Sequence, residues 1–107
     1  MKGENLGELE ELVLLAVYSL GGDAYGVTVQ QAIEDSADRS CTLGAVYSAL
    51  DRLERKDCVR SRMGGQTAEI GGRRKRFFDI TTRGRRKLEE ARAAREALWS
   101  RVRSQDV

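Results

Sequence analysis

The 107-residue chain has no histidine, no proline and only two cysteines. Without histidine, the commonest general base, the histidine-containing nucleophilic triads and the commonest metal ligand are ruled out. The cysteines, Cys41 and Cys58, form no CxxC pair, and structural zinc needs about four ligands. No metal and no cofactor are therefore expected. Cys58 falls where a helix hands over to a strand and reads as a small buried hydrophobe. Cys41 lies in a turn and reads as the more exposed of the two. The chain also lacks any run of roughly 18 apolar residues, which excludes a membrane-spanning helix. The opening Met1-Lys2-Gly3-Glu4 is not the basic-then-apolar start of a secretory leader, so a cytoplasmic location is expected. No nucleophile–base pair and no phosphate-binding loop opening a helix is present, which argues against an enzyme. A chain of this length makes one domain whose core is near the lower size limit for folding alone, a shortage that an oligomer would relieve.

What is present is charge, unevenly spread. The formal net charge is +2. Residues 1–51 hold two basic and nine acidic side chains, a net −7, and residues 52–107 hold seventeen basic and eight acidic ones, a net +9. Such a basic half suits an anionic partner, with nucleic acid first, although a solvated and salt-bridged surface has the same composition.

Hydrophobic spacing divides the chain into four helices and a hairpin. The first helix is predicted over residues 6–20, with Asn5 as N-cap and Glu8 resembling the distal half of a capping box. Its stripe of Leu6, Leu9, Val13, Ala16, Val17 and Leu20 is widened by Leu12, Leu14 and Leu15 until the helix needs cover on more than one side. Gly21-Gly22 stops it. A second helix starts at Asp23 or Ala24 and runs to about Ala37, with Tyr25, Val29, Ala32 and Ile33 apolar. Gly26 in its first turn costs about 1 kcal/mol of propensity against alanine, which a close helix–helix approach would explain. Thr42 caps a third helix ending near Lys56. Leu43, Val46, Leu50 and Leu53 share one face of it, and Tyr47, Ser48, Asp51, Arg52 and Arg55 the other. After Asp57 the period changes to two. Residues 58–63 and 73–80 read as strands joined by a glycine-rich turn, a β-hairpin whose tip carries Arg73, Arg74, Lys75 and Arg76. Thr81 or Thr82 caps a last helix to about Arg103. Its narrow stripe of Leu88, Ala91, Arg95, Leu98 and Val102, with Trp99 alongside, fits packing on a partner helix.

The expected fold class is therefore mainly α with a small β-hairpin: a winged helix-turn-helix followed by a long C-terminal helix. The third helix would enter a major groove. Groove readers use the N-terminal half of this helix, which selects Thr42, Gly44, Ala45 and Ser48. Tyr47, an aromatic hydroxyl on the polar face, is a candidate for phosphate or base contact. Arg52 lies further along and either steers or pairs with a neighbouring carboxylate. The four wing cations would supply salt-sensitive affinity for double-stranded DNA. By its spacing with Val29 and Ile33, Tyr25 is a core or helix-packing residue. A second reading uses the same charges differently: a dimeric interaction module whose basic half binds an acidic protein.

Five segments in order resemble the PadR family of bacterial transcriptional regulators. They are Leu6-Gly7-Glu8-Leu9-Glu10, Ala24-Tyr25-Gly26, Thr42-Leu43-Gly44-Ala45-Val46-Tyr47-Ser48-Ala49-Leu50-Asp51-Arg52-Leu53-Glu54, Gly72-Arg73-Arg74-Lys75-Arg76-Phe77-Phe78 and Ile80-Thr81-Thr82-Arg83-Gly84-Arg85. The chain departs from the pattern at Ser48, where members often carry proline, so the helix start is less constrained. The resemblance implies a short-subfamily regulator with a DNA-binding domain over residues 1–80 and a C-terminal dimerisation helix over 81–107. It implies a homodimer built from helix one and the last helix, which places Leu6, Leu9, Leu12, Leu88, Ala91, Leu98 and Val102 at the interface. It further implies a repressor acting on a palindromic operator. Some short members bind flat hydrophobic compounds through a tryptophan on this helix, which marks Trp99, with Leu15, for a small hydrophobic effector. Trp99 is otherwise a dimer anchor.

Overall fold

The computed structural model describes residues 5–64 and 75–105. Helix α1 spans Glu8–Leu20, α2 Gly26–Ala37, α3 Leu43–Arg55 and α4 Thr82–Gln105, with strands β1 at Val59–Gly64 and β2 at Lys75–Ile80 between α3 and α4. The architecture is a winged helix-turn-helix that continues into a long terminal helix. Val13, Leu14 and Val17 of α1, Val29 and Ile33 of α2, Val46, Leu50 and Leu53 of α3 and Phe78 of β2 form one buried core. Cys58 belongs to that core, and burial pushes its thiol above the ordinary range. Cys41 is half-buried.

The starts of α1 and α2 are displaced from their local signals, in both cases with a distant contact at the displaced end. α1 begins at Glu8 behind Gly7, not at Leu6 behind Asn5. Glu10 closes the end by accepting the Gly7 N–H at 2.9 Å, and the Asn5 carbonyl accepts from Lys56 Nζ at 2.8 Å. α2 begins at Gly26, not at Asp23 or Ala24. Gly21–Asp23 forms a single 3-10 turn, and Ala24 is extended because its carbonyl accepts the Phe78 N–H of β2 at 2.8 Å. The Thr28 hydroxyl then accepts the Tyr25 N–H at 2.9 Å and donates to the Asp23 carbonyl at 2.7 Å. The predicted start of α3 is observed: Thr42 Oγ1 accepts the Ala45 N–H at 3.0 Å.

β1 and β2 pair antiparallel from Val59↔Ile80 to Gly64↔Lys75. Their inner face carries Ser61 and Phe78 toward α3, and the outer face carries Arg62, Phe77 and Asp79. The Gly64–Phe77 approach demands glycine, because a Cβ at Gly64 would sit 2.5 Å from the Phe77 ring. Arg73 and Arg74 lie outside the described residues. Along α4 only Gly84 and Leu88 are buried, and its second half projects from the body, giving extents of 59 × 29 × 21 Å. No helix among the described residues is long and apolar enough to cross a membrane.

Candidate nucleic-acid interface

The α2–turn–α3 pair leaves the start of α3 uncovered. Thr42, Gly44 and Ser48 are exposed and Ala45 is half-buried, while Val46, Ala49 and Leu50 hold the opposite face to the core. Open space surrounds the position a Gly44 side chain would occupy. The helix therefore presents small groups, backbone N–H groups and the positive end of its dipole outward. That set suits close approach to a phosphate or a base edge.

Tyr47 completes this face and accounts for Gly26. A Cβ at residue 26 would overlap the Tyr47 ring, with its Cε2 at 2.8 Å. The hydroxyl end of the ring therefore lies against the first turn of α2, and the close approach of α2 and α3 at Gly26 is filled by this side chain. The residue stays 37 % exposed, and its hydroxyl has no hydrogen-bond partner among the described residues. Gly26→Ala is expected to gain about 1 kcal/mol of helix propensity while expelling the ring. Nuclear Overhauser contacts from Tyr47 to residue 26 should vanish with little change in melting temperature. Their persistence would show that the helices spread instead.

The basic groups are less available than their number suggests. Arg52 donates from Nε to Glu10 Oε2 at 2.7 Å, and Lys56 donates from Nζ to Glu10 Oε1 at 2.7 Å. Glu10 is 5 % exposed. Burial alone would raise its carboxyl, but the Lys56 hydrogen bond, the Gly7 N–H and Arg52 outweigh burial and hold it at about 2, against an ordinary 4.5. Arg76 donates to Glu54 Oε1 at 2.6 Å and stands 3.6 Å from Asp51 Oδ1. Lys75 Nζ lies 4.6 Å from the Tyr25 ring centroid and 3.4 Å from its hydroxyl. Tyr25 itself packs edge-on against Phe77, with ring centroids 5.3 Å apart. It is the N-cap of α2 and a support for the wing; Val29 and Ile33, its expected companions, are the core residues. Arg62 braces the same outer face, donating to Asp79 Oδ2 at 2.7 Å and to the Gly22 carbonyl at 3.1 Å.

Sequence inspection passed over Glu10, Glu54 and Ser61. For Glu10 a signal existed: it falls at the four-residue spacing between Leu6 and Val13–Leu14, a carboxylate on the buried stripe of α1. Glu54 and Ser61 carry no local signal, since each has significance only through the other and Arg76.

On the far side, Leu6, Leu9 and Leu12 are half-buried and pack against the core from α1. Leu88 is buried and Ala91 half-buried, whereas Leu98, Trp99 and Val102 are 65, 58 and 47 % exposed. A hollow of about 470 Å³ between α1 and α4 is lined by Leu15, Tyr18, Leu88 and Trp99. Arg95 beside it is bound to Glu11 of α1 through two nitrogens. Among the described residues no cluster of acidic or cysteine side chains could hold a metal.

A helix-turn-helix whose α3 is open at its start, a braced hairpin and a projecting helix with an uncovered apolar side define a winged-helix protein. Residues 14–90 match the model of the transcriptional regulator PadR-like family, and the chain belongs to that family. Its members are regulators of transcription, not enzymes. A PadR family transcription regulator from Clostridium difficile R20291 superposes with a TM-score of 0.70 at 24 % identity, over 92 % of this chain and 97 % of that one. A PadR-like transcriptional regulator from Bacillus cereus strain ATCC 14579 gives 0.72 at 18 % identity, over 91 % and 89 %. Bacillus subtilis PadR, in complex with operator DNA, gives 0.65 at 17 % identity, over 77 % of this chain and 45 % of that one. No curated protein matches the sequence.

Proposed function

We propose that the chain is a homodimeric, cytoplasmic repressor that binds a palindromic operator. The observation that carries this reading is the exposed start of α3, where Thr42, Gly44, Ala45, Tyr47 and Ser48 stand clear of the core. Two such helices would occupy successive major grooves about one helical turn apart, with each wing on the flanking backbone. The operator complex of Bacillus subtilis PadR supports the same use of the fold. In this reading residues 1–80 bind DNA and residues 81–107 pair two copies. The uncovered Leu98, Trp99 and Val102 support that pairing, because a helix segment of this length is marginal alone in water. The Leu15–Trp99 hollow is the place for a flat hydrophobic effector, which would act by favouring dimer geometries with the wrong half-site spacing.

Selection of bound duplexes from a random pool tests the reading. A palindrome with half-sites about ten base pairs apart is the expected result. A pool that stays random, with binding insensitive to salt, would remove DNA as the partner. Recovery of a single asymmetric half-site would remove the dimer.

A further inference from the structure

We propose that Glu54 and Arg76 form a strut that sets the angle of the wing against the recognition helix, and that Arg76 positions the wing instead of contacting a phosphate. This rests on the DNA-binding reading above. By composition Arg76 is one of four consecutive wing cations, and strand geometry separates it from its neighbour. Successive side chains on a strand point to opposite faces. Lys75 goes outward to Tyr25, whereas Arg76 shares the inner face with Phe78 and lies over α3. Its guanidinium carbon stands 4.9 Å above the Phe78 ring, and that ring is fully buried. Stacked on a core residue and bonded at its edge, the group has a fixed direction.

Glu54 is the other half of the strut, and it grips both strands. Oε1 accepts from Arg76 of β2 at 2.6 Å. Oε2 accepts from the Ser61 hydroxyl of β1 at 2.8 Å and faces the Ser61 N–H at 3.4 Å. The Ser61 hydroxyl lowers its carboxyl most, burial opposes it, and the Ser61 N–H and Arg76 tip the balance, so the group lies below the ordinary range. One α3 side chain thus anchors the hairpin on both sides. Asp51, one turn earlier on α3, adds a second carboxylate 3.6 Å from the same guanidinium. Arg76, Glu54 and Asp51 together carry a net −1, so the site repels an anion. A phosphate that approached Arg76 would meet these two carboxylates beside the guanidinium, one hydrogen-bonded to it and one 3.6 Å away.

The two roles differ in sign, which makes them separable. Glu54→Gln removes a negative charge beside the proposed groove face. If charge alone mattered, duplex affinity would rise. The strut requires it to fall, by about tenfold, the share of one good contact. Arg76→Gln should fall by a similar factor in parallel at every salt concentration from about 50 to about 200 mM. A lost phosphate contact would instead reduce the slope of log affinity against log salt by about 0.9. The double variant should bind no worse than Glu54→Gln alone, since that change already releases Arg76. Both side chains are more than a third exposed, so melting temperatures should change little and folding is not at stake. Tighter binding by Glu54→Gln, or the slope loss for Arg76→Gln, overturns the strut. If the wild-type protein binds no duplex, the DNA reading fails by itself. The strut is then judged by amide exchange in residues 59–64 and 75–80, which must quicken in Arg76→Gln; unchanged protection overturns it.

Discussion

Gly84→Ala is expected to lower the melting temperature by on the order of 10 °C and, in the proposed homodimer, to weaken the pairing of two copies as well. Gly84 is buried in the first turn of α4, where a Cβ would overlap the backbone oxygen of Cys58 and come within 2.8 Å of Ile80 Cγ1. The obstacle cannot swing aside. The Cys58 carbonyl accepts the Thr81 N–H at 3.0 Å, its N–H donates to Leu53 at 2.8 Å, and the Asp57 carbonyl accepts the Thr81 hydroxyl at 2.7 Å. Asp57 holds a left-handed φ of 62°, which fixes this corner further. α4 must then move off its seat. Overpacking of this kind costs about 1–3 kcal/mol, and alanine returns up to about 1 kcal/mol of helix propensity. The displacement matters more at the far end. A 24-residue helix is roughly 36 Å long, so a tilt of about 10° at its root carries Val102 several ångströms. Calorimetry at fixed protein concentration checks the first effect, and sedimentation over a dilution series the second. An unchanged melting temperature would show that the corner yields.

The same residue illustrates what the sequence made legible. Gly84 was visible only as part of the Thr81-Thr82-Arg83-Gly84 segment shared with the family; that it lies against the α3–β1 corner depends on a carbonyl twenty-six residues earlier. Elements whose information is periodic were readable: the apolar face of α3, the alternation of β2 and the Thr42 cap all rest on neighbours within one or two turns. Starts decided across the chain were not. Asn5 has the side chain of an N-cap, yet Glu10, drawn inward by Lys56, makes Gly7 the cap. Ala24 has a helical propensity that its pairing with Phe78 overrides. The site divides in the same way. The charge of the basic half was countable, but the direction of each cation was not. Arg52, which by its position either steers or pairs with a carboxylate, is paired with Glu10 of α1, and Arg76, one of the wing cations, is paired with Glu54 of α3. Tyr47 stands out in the sequence as an aromatic hydroxyl on a polar face, whereas Gly26 signals a close helix approach without saying that the Tyr47 ring fills it.

Glu10→Ala is expected to cost about 3 kcal/mol, the usual loss when one member of a buried ion pair is removed. The Glu10 side chain is 7 % exposed and has Arg52 and Lys56 on its two oxygens, with Lys56 itself only 20 % exposed. Truncation leaves both cations without the carboxylate that bonds them and frees the Gly7 N–H. The isosteric Glu10→Gln separates charge from packing through its pH dependence. A carboxyl at about 2 in the folded chain and 4.5 in the unfolded one stabilises the fold by about 3 kcal/mol at neutral pH. Because the folded value is the lower one, this contribution is complete above 4.5 and is lost as pH falls toward 2. Urea unfolding across that range should show wild type declining steeply and Glu10→Gln declining less, the gap between them closing as pH approaches 2 and the Glu10 carboxyl protonates in both states. Parallel curves would mean that Glu10 is not ionised by its partners. The consequence reaches beyond stability, because Glu10 and Glu11 are neighbours with different grips: Glu10 holds α3 through Arg52 and Lys56, and Glu11 holds α4 through Arg95. The first turn of α1 thereby ties α3 to α4. Removing Glu10 releases one side of that connection while leaving the other intact.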